Sequence, residues 1–508
     1  MAILRYTASA DNTITNAFDY TLVTRGTGSN MGYADSLEVF SIYGETTSSA
    51  GMSQQLSRIL INFPISQISA DRTAGTIPAS GSVSFYLKMY NAETPFTLPQ
   101  DFTLVVAPVS QSWTEGTGLD MEEYTDKGYS NWMSASDGVG WTSVGGDYLT
   151  ASNFEVTFPQ GYENLETDVS EIVERWITVG NEFTNYGFGV RLTASQEAYF
   201  SSSTGQNTGS IIDNIGGSTD TYYTKKFFAR STQFFFKRPV IEARWDSRTM
   251  DDRENFYFSS SRAPAADNLN TLNLYNYVRG RLVNIPVIGN DPIYVSFYSS
   301  SAGSPTGSKL QLAAGGDVAA DGDLNATGSL SSTTGIYTVS VALTAASTPL
   351  QAIHDVWHRD GVEYYTGSFY PETMPTYDMA PTFNRITSCR NLKKSYSRSD
   401  TARFRFFVRD RNWSPTLYTV ATANNPTDII ESASYSIVRV ADNHTAIAYG
   451  TGSDLSTYLS YDKDGNYFDL DMSILEADYM YELKLSYYND SIGSWQEQPQ
   501  TFKFRVEE

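Results

Sequence analysis

The sequence predicts an all-β protein. Apolar and polar residues alternate with a period of two, which is typical of strands that bury one face and expose the other to solvent. This alternation recurs along the whole chain, for example at Val83, Phe85, Leu87 and Met89, and again at Phe404, Phe406 and Val408. Aromatic residues make up 14% of the chain and include 35 tyrosines, which suits half-buried pleated surfaces.

One short helix is expected in the first half of the chain, within residues 165–192. Asp168 can cap this helix and Glu171 follows three residues later, which is the spacing of a capping box. The apolar residues that follow have the i, i+3, i+4, i+7 spacing of one helix face. They are Val169, Ile172, Val173 and Trp176. We expect this helix to plug the end of a β-sandwich rather than to carry catalytic groups.

Five short segments in the first half carry a family resemblance. They read ASADNTI at 8–14, NMG at 30–32, SRILINF at 57–63, SWTEGTG at 112–118 and NYGFGVRL at 185–192. Together they resemble the DNRLRE family, a β-sandwich module of secreted and surface proteins and of phage virion proteins. The resemblance covers about residues 1–245 and implies a non-catalytic, jelly-roll-like sandwich with one short helix.

Family members often follow a signal peptide, whereas this chain begins MAILRYTASADNT, without a basic and then apolar leader. We therefore expect no signal peptide and a virion protein that assembles in the host cytoplasm. Two segments of the second half, at 268–280 and 449–473, resemble virion proteins of marine phages and favour the same expectation.

Two changes in composition predict three domains, at residues 1–245, 246–380 and 381–508. The chain is polar after Trp245, and three prolines, Pro371, Pro375 and Pro381, fall within eleven residues. Residues 247–255 are expected to form an exposed linker that proteases can cut. The second and third domains are expected to be immunoglobulin- or fibronectin-like sandwiches.

The third domain also contains the spacing of a tyrosine corner. Leu475 and Tyr481 stand six residues apart, as they do at the corner between two strands of fibronectin type III and immunoglobulin-like sandwiches. In that motif the phenol bonds to nearby backbone. In the second domain, Asp360-Gly361 lies between two strand patterns and predicts a tight hairpin turn.

Charge and cysteine content exclude several classes of partner. The chain has 57 acidic and 35 basic residues, a net charge of −22, so its average field repels nucleic acid and anionic membranes. We expect neither as a partner. Cys389 is the only cysteine, so no internal disulfide and no thiolate metal site can form.

The reactive side chains form no recognisable catalytic motif. His354 and His358 would share a strand face about 13 Å apart and are expected to be exposed rather than to bind a metal. Glu115, Asp120, Glu122 and Glu123 lie near Trp113, as carboxylates do in glycosidase clefts, but Glu115 belongs to the segment shared with a non-catalytic module. We therefore expect no enzyme and no cofactor.

Two further features have alternative interpretations. The acidic turns at 317–323 and 462–466 could hold calcium, but plain hairpin turns are the preferred interpretation. The tryptophans Trp113, Trp132 and Trp141 could form a platform that contacts a glycan, although such residues more often close the end of a sandwich core.

These expectations favour a structural component of a phage virion, at the tail, neck or capsid surface. It would act through contacts with other virion proteins, as a homo-oligomer. The alternative is an adhesin that binds a carbohydrate or receptor, such as a glycan of the host surface.

Overall fold

The chain divides into two compact units, Ala2–Trp245 and Asp246–Glu508, in a computed structural model. The structure describes sixteen stretches of the chain. They are residues 2–44, 53–95, 98–121, 128–178, 183–201, 209–259, 264–289, 291–299, 304–313, 320–321, 324–331, 333–343, 352–371, 385–414, 427–490 and 492–508.

The all-β prediction is confirmed, since 45% of the residues lie in strands and 7% are helical. The first unit contains thirteen strands within its described residues. They are β1 (Ile3–Thr7), β2 (Ala10–Thr15), β3 (Ser36–Gly44), β4 (Ser53–Asn62), β5 (Ser84–Met89), β6 (Phe102–Pro108), β7 (Ser134–Ser136), β8 (Val139–Gly140), β9 (Phe154–Phe158), β10 (Leu165–Asp168), β11 (Phe188–Leu192), β12 (Tyr222–Phe228) and β13 (Val240–Arg244).

Two antiparallel sheets enclose the core of this unit. The four-stranded sheet has the order β1-β13-β5-β10, and the seven-stranded sheet has the order β12-β3-β4-β11-β6-β9, with β2 paired to β4. Side chains from both sheets, such as Phe85 and Ile241 on one and Leu104 and Val190 on the other, share one buried cluster. In strand β5, for example, burial alternates, so every second residue lies in the space between the sheets.

Two helices contribute to this core, α1 (Ile65–Thr73) and α2 (Ser170–Ile177). Helix α1 was not predicted, because Ile65 and Ile68 are its only buried residues and the rest of its sequence is polar. The two helices are joined by a bidentate ion pair from Arg72 to Glu174, with contacts of 3.1 and 2.7 Å.

The predicted capping box of helix α2 is wrong. The helix begins at Ser170 after Val169, because strand β10 continues through Asp168 and leaves no room for an earlier turn. Asp168 instead accepts a hydrogen bond of 2.8 Å from the Ser170 amide. Glu171 does not bond back to the helix start but pairs with Arg175 one turn later, at 2.7 Å.

The second unit contains nineteen strands within its described residues. They are β14 (Asn270–Tyr275), β15 (Tyr277–Val278), β16 (Arg281–Leu282), β17 (Ile293–Ser299), β18 (Ala320–Asp321), β19 (Asn325–Leu330), β20 (Ile336–Val341), β21 (Ile353–Arg359), β22 (Val362–Phe369), β23 (Arg385–Cys389), β24 (Ser395–Ser397), β25 (Thr401–Asp410), β26 (Ala433–Arg439), β27 (His444–Ile447), β28 (Ser460–Asp462), β29 (Gly465–Asp471), β30 (Met480–Asn489), β31 (Ser494–Glu497) and β32 (Phe502–Glu507).

Strands β14 to β22 build the sheets of the middle segment. Their main sheet has the order β14-β20-β19-β17-β21-β22, with β18 paired to β19. The predicted hairpin joins β21 to β22, and both turn residues have positive φ, 50° at Asp360 and 77° at Gly361. These angles are those of a type I′ turn.

The residues that we expected to form an exposed linker after Trp245 are partly buried. Arg253 is 6% exposed and contacts the carboxylates of Asp251 and Asp355 at 2.5 and 2.6 Å. Burial raises the pKa of Asp251 to about 6, against the opposing charge of Arg253. Only part of the segment is therefore exposed, such as Ser247 and Glu254, and its sensitivity to proteases stays a prediction. The predicted boundary at 371–381 lies, beyond Pro371, outside the described residues.

Strands β23 to β32 form two facing sheets. One has the order β23-β25-β29-β28 and the other β24-β32-β30-β26-β27, with β31 paired to β30. The rings of Phe468 and Tyr435 stack between them with centroids 3.9 Å apart. Leu475 and Tyr481 are both fully buried, and the Tyr481 hydroxyl donates a 2.8 Å hydrogen bond to the Glu476 carbonyl. This is the geometry of a tyrosine corner.

Trp176→Ala is expected to destabilise the first unit by roughly 2–3 kcal/mol, because the ring is half-buried and packs on Phe188 with centroids 4.8 Å apart. Denaturant unfolding of the full chain, followed by a probe of this unit, measures the effect. Trp176→Phe is the control and should retain most of the stability. A variant with Ala that unfolds at the parental midpoint would refute the packing role.

Tyr481→Phe is expected to cost about 1 kcal/mol, because it removes the bond to the Glu476 carbonyl while the ring stays packed on Phe504. Tyr479→Phe serves as the control, since that ring is half-exposed and lies under the Arg439 guanidinium. Equal denaturation midpoints for the Tyr481 variant and the parent would contradict the tyrosine corner.

Candidate functional site

Three of the segments that carry the family resemblance meet in one buried polar network of the first unit. Asn12 Nδ2 donates to the backbone and hydroxyl oxygens of Ser130, each at 2.9 Å, and its Oδ1 accepts from the Met31 amide at 2.9 Å. Asn30 Nδ2 also donates to the Ser130 carbonyl, and its Oδ1 accepts from Gly118 at 3.1 Å. The two asparagines thus tie strand β2 and two loops together.

Two of these segments lie so close together that glycine is required at the points of contact. A Cβ on Gly32 would lie 2.3 Å from the Gly116 carbonyl oxygen, and one on Gly116 would lie 2.1 Å from Asn30 Oδ1. Real Cβ atoms do not come so close, so these positions exclude larger side chains. The NMG and WTEG segments are therefore a single packed unit.

An ion pair continues this network. Arg230 contacts Glu115 through two hydrogen bonds, Nε at 2.7 Å and Nη2 at 2.5 Å, and Glu115 also accepts from the Asp11 amide at 2.7 Å. Asp11 accepts from the Arg230 amide at 2.6 Å, and its other carboxyl oxygen is buried with no hydrogen-bond partner. Burial, with a smaller contribution from the Glu115 charge, raises the pKa of Asp11 to about 7. Glu115 is thus held in place by Arg230 and by the Asp11 amide.

The tryptophans do not form a glycan platform. Trp132 is fully buried and Trp141 is 7% exposed, and their indole N–H groups donate at 2.8 Å to the carbonyls of Ser210 and Asn131. Trp113 is half-buried and donates to the Tyr186 carbonyl at 2.8 Å. The platform interpretation is wrong for this set, because a stacking surface needs exposed ring faces and these rings close a second apolar cluster of the unit.

A hairpin at residues 18–25 projects from this region. Its two ends, Phe18 and Arg25, pair with each other and form the base of the hairpin. Arg25 Nη1 donates to the carbonyls of Asn16 and Gln54 at 2.6 and 2.7 Å, and its guanidinium lies 4.2 Å from the centroid of the Phe18 ring. The Phe18 amide donates to the Gln55 side chain at 2.9 Å. The base is therefore fixed to strand β4.

The tip of this hairpin exposes three apolar side chains. Tyr20 is 75% exposed, Leu22 is 72% exposed and Val23 is 80% exposed. The turn is ordered, because the Asp19 amide donates to the Thr24 carbonyl at 2.9 Å and the Leu22 amide donates to the Asp19 carbonyl at 3.0 Å. Leu22 has a φ of 56°, a left-handed conformation that is rare for a branched residue and marks strain at functional loops. We call Tyr20, Leu22 and Val23 the apolar tip.

The remaining sequence candidates do not come together in one site. His354 is 4% exposed, which corrects the expectation of an exposed histidine, since strand β21 is covered on both faces at that position. His358 Nε2 lies 2.6 Å from the Ser296 hydroxyl. Asp462 is bound by Arg405 at 2.6 and 2.8 Å and begins the turn between β28 and β29. Burial raises the pKa of the Cys389 thiol, which disfavours the thiolate.

In the part of the chain that the structure describes, no group of three or more His, Cys, Asp or Glu side chains could hold a metal ion. Most of the acidic turn at 317–323, and also Glu122 and Glu123, lie outside that part. Among the described helices, none is long and apolar enough to cross a membrane.

Sequence reasoning missed the apolar tip, and the signal for it is weak. The segment YTLV reads like any strand, because neither its exposure nor the left-handed φ of Leu22 can be deduced from residue type. It also missed the ion pair between Arg58 and Glu197, both buried, with contacts of 2.9 and 2.7 Å. A charged residue inside an apolar strand, as in SRILINF, is the one available hint.

Comparisons with known proteins give only distant likenesses. No protein-family model matches the chain, and no curated protein matches it significantly. The solved structures that are similar include alpha-2-macroglobulin of E. coli in its native conformation, with 8% identity, 100% coverage of this chain, 26% of that chain and a TM-score of 0.15. A Salmonella alpha-2-macroglobulin mutant is 9% identical, the match covers 94% of this chain and 26% of that chain, and the TM-score is 0.16.

The BSP domain of a biofilm-associated protein is 8% identical, the match covers 94% of this chain and 83% of that chain, and the TM-score is 0.14. The chain spans about a quarter of the length of the two macroglobulins. Likenesses at these TM-scores carry no argument about the function of this chain.

Asp11→Asn is expected to change the pH dependence of stability. Because the folded pKa of Asp11 is about 7 and its ordinary value is about 4, the parent loses stability as the pH rises from about 4 to 7. The asparagine cannot ionise, so the variant should gain roughly 1–3 kcal/mol over the parent at about pH 8 and nothing at about pH 4. Urea unfolding at several pH values measures this difference.

Glu115→Gln is the control for this prediction, since it should destabilise the unit by weakening the pair with Arg230 rather than stabilise it at about pH 8. If the Asp11 variant and the parent lose stability in parallel between pH 4 and 8, Asp11 is ionised normally in the fold.

Proposed function

We propose that this chain is a non-enzymatic structural component of a phage virion, at its tail, neck or capsid surface, and that it works through protein–protein contacts. The resemblance of its first half to the DNRLRE module and of its second half to marine phage virion proteins supports the setting. Its all-β architecture supports the mode of action, because packed sheets present fixed surfaces to neighbouring molecules.

The observation that carries the proposal is the apolar tip on its bound base. A soluble surface rarely exposes three large apolar side chains on one ordered turn. Because Arg25 and Gln55 already hold the base, contact with a partner costs little additional backbone entropy. Burial of each tip side chain contributes roughly 1.5–3 kcal/mol before the cost of association. The tip is therefore suited to an apolar pocket on another protein.

The partner to test first is a further copy of the chain, because virion proteins occur in symmetric copies. The tip itself carries no charge, so no like charges meet at this contact, and salt screens the repulsion between two chains of net charge −22. The carboxylate that best fits a catalytic role, Glu115, is occupied by Arg230 and by the Asp11 amide. The apolar tip and the occupied Glu115 carboxylate thus support a function in protein–protein contact rather than in catalysis.

The paired substitution Leu22→Ser and Val23→Ser is expected to weaken self-association of the full chain by at least tenfold, because it removes most of the apolar area of the tip. Light scattering or sedimentation over a range of concentrations measures this effect. Val139→Ser is the matched control: Val139 is 47% exposed on a different short hairpin of the same unit, and its replacement should leave association unchanged.

Mass spectrometry of purified particles of the encoding phage completes the test. The chain should be present in stoichiometric amounts. A chain that stays monomeric at high concentration and is missing from the particles would overturn the proposal and favour an adhesin, whose partner a glycan or receptor binding assay would then identify.

A further inference from the structure

Lys225 of strand β12 is a buried lysine whose amine faces only oxygen atoms and aromatic rings. The residue is 1% exposed. Its Nζ lies 2.6 Å from Asn91 Oδ1, 2.7 Å from the Glu163 carbonyl and 3.0 Å from the Gly161 carbonyl. The rings of Phe158 and Phe227 flank it, with centroids 4.9 and 5.1 Å from Nζ. An amine and a carboxamide are thus held together away from bulk water.

The backbone fixes the distance between the two side chains. The chain around Asn91 runs antiparallel to β12, with a bridge from Asn91 to Phe227 and a 3.0 Å hydrogen bond from the Ala92 amide to the Lys226 carbonyl. The Asn91 amide donates to Asn164 Oδ1 at 2.9 Å. Since a carbonyl bond is about 1.2 Å long, the Asn91 amide carbon lies no farther than about 3.8 Å from Nζ. This limit is close to the roughly 3–3.5 Å of a reactive pair.

We propose that Lys225 and Asn91 form an intramolecular isopeptide bond. The inference stands on this geometry and does not depend on the function proposed above.

The reaction is a transamidation that needs no oxidant or cofactor. The neutral amine of Lys225 attacks the amide carbon of Asn91, and a C–N bond forms. The proton that Nζ then loses passes to Nδ2 of the same tetrahedral adduct. The bond from the carbon to Nδ2 breaks and ammonia leaves. One carboxamide and one amine thus give one secondary amide and one ammonia.

The surroundings favour the attacking form of the amine. Burial lowers the pKa of Lys225 to about 8, against the opposing charge of Glu163, so a useful fraction of the amine is neutral near physiological pH.

The bond would join the two sheets of the first unit. Strand β12 is the edge strand of the seven-stranded sheet, and Asn91 follows β5 of the four-stranded sheet. The chain has one cysteine and cannot clamp these sheets with a disulfide. An amide between them closes a loop of more than a hundred residues and so restricts the unfolded chain in the way that a disulfide does.

Intact mass spectrometry of the purified full chain tests the inference. The parent should be lighter than its sequence by one ammonia, and tandem spectra after digestion should show a peptide that contains Asn91 linked to one that contains Lys225. Lys225→Met and Asn91→Ala should have their full sequence masses.

Lys226→Arg is the matched control, because Lys226 is the neighbouring residue, points to Glu38 and should leave the loss of ammonia intact. Bond formation in chain that is refolded from freshly expressed, still unlinked material should be slower at about pH 6 than at about pH 9, since protonated amine is not a nucleophile. A parent chain of full mass with both peptides recovered unlinked would overturn the inference and leave Lys225 as an ammonium held by hydrogen bonds.

Discussion

The first unit depends on polar side chains that are buried between its loops. Apolar residues fill the middle of a β-sandwich. Its ends consist of loops, whose buried backbone groups still need hydrogen-bond partners. Asn12 and Asn30 supply these partners by binding Ser130, Met31 and Gly118 at once. Each buried side chain replaces several water molecules, so loss of one leaves several backbone groups unpaired.

Charged side chains obey the same constraint. Arg58 with Glu197, which are buried, and Arg230 with Glu115, which are partly buried, are bidentate pairs in which most charged atoms have a partner. A buried pair adds little net stability compared with apolar residues, but removal of one member is costly because the other remains buried. Such pairs therefore specify one arrangement of the loops. Asp11, with one unpaired oxygen, is the point where this arrangement responds to pH.

Much of the architecture follows from the sequence, because alternation with a period of two is enforced by burial of one strand face. Helix α2 was also predictable from its apolar spacing, although its start was placed too early. Helix α1 was not, since only Ile65 and Ile68 mark its buried face. The tryptophans illustrate the limit for sites: residue type cannot tell a ring that closes a core from one that stacks on a sugar. The pairing of Lys225 with Asn91 is invisible in the sequence, as 134 residues separate them and only the register of two sheets brings them together.

Rigidity links the two proposals without making either depend on the other. The apolar tip works as a contact only if its base keeps its place on strand β4, and that strand belongs to the same sheet as β12. A covalent bond from Lys225 to Asn91 would hold that sheet against its partner sheet even under load, whereas hydrogen bonds alone exchange with water whenever the edge opens. An assembly protein that transmits force gains most from a bond at the edge strand, because separation of the sheets begins where a strand has a neighbour on one side only.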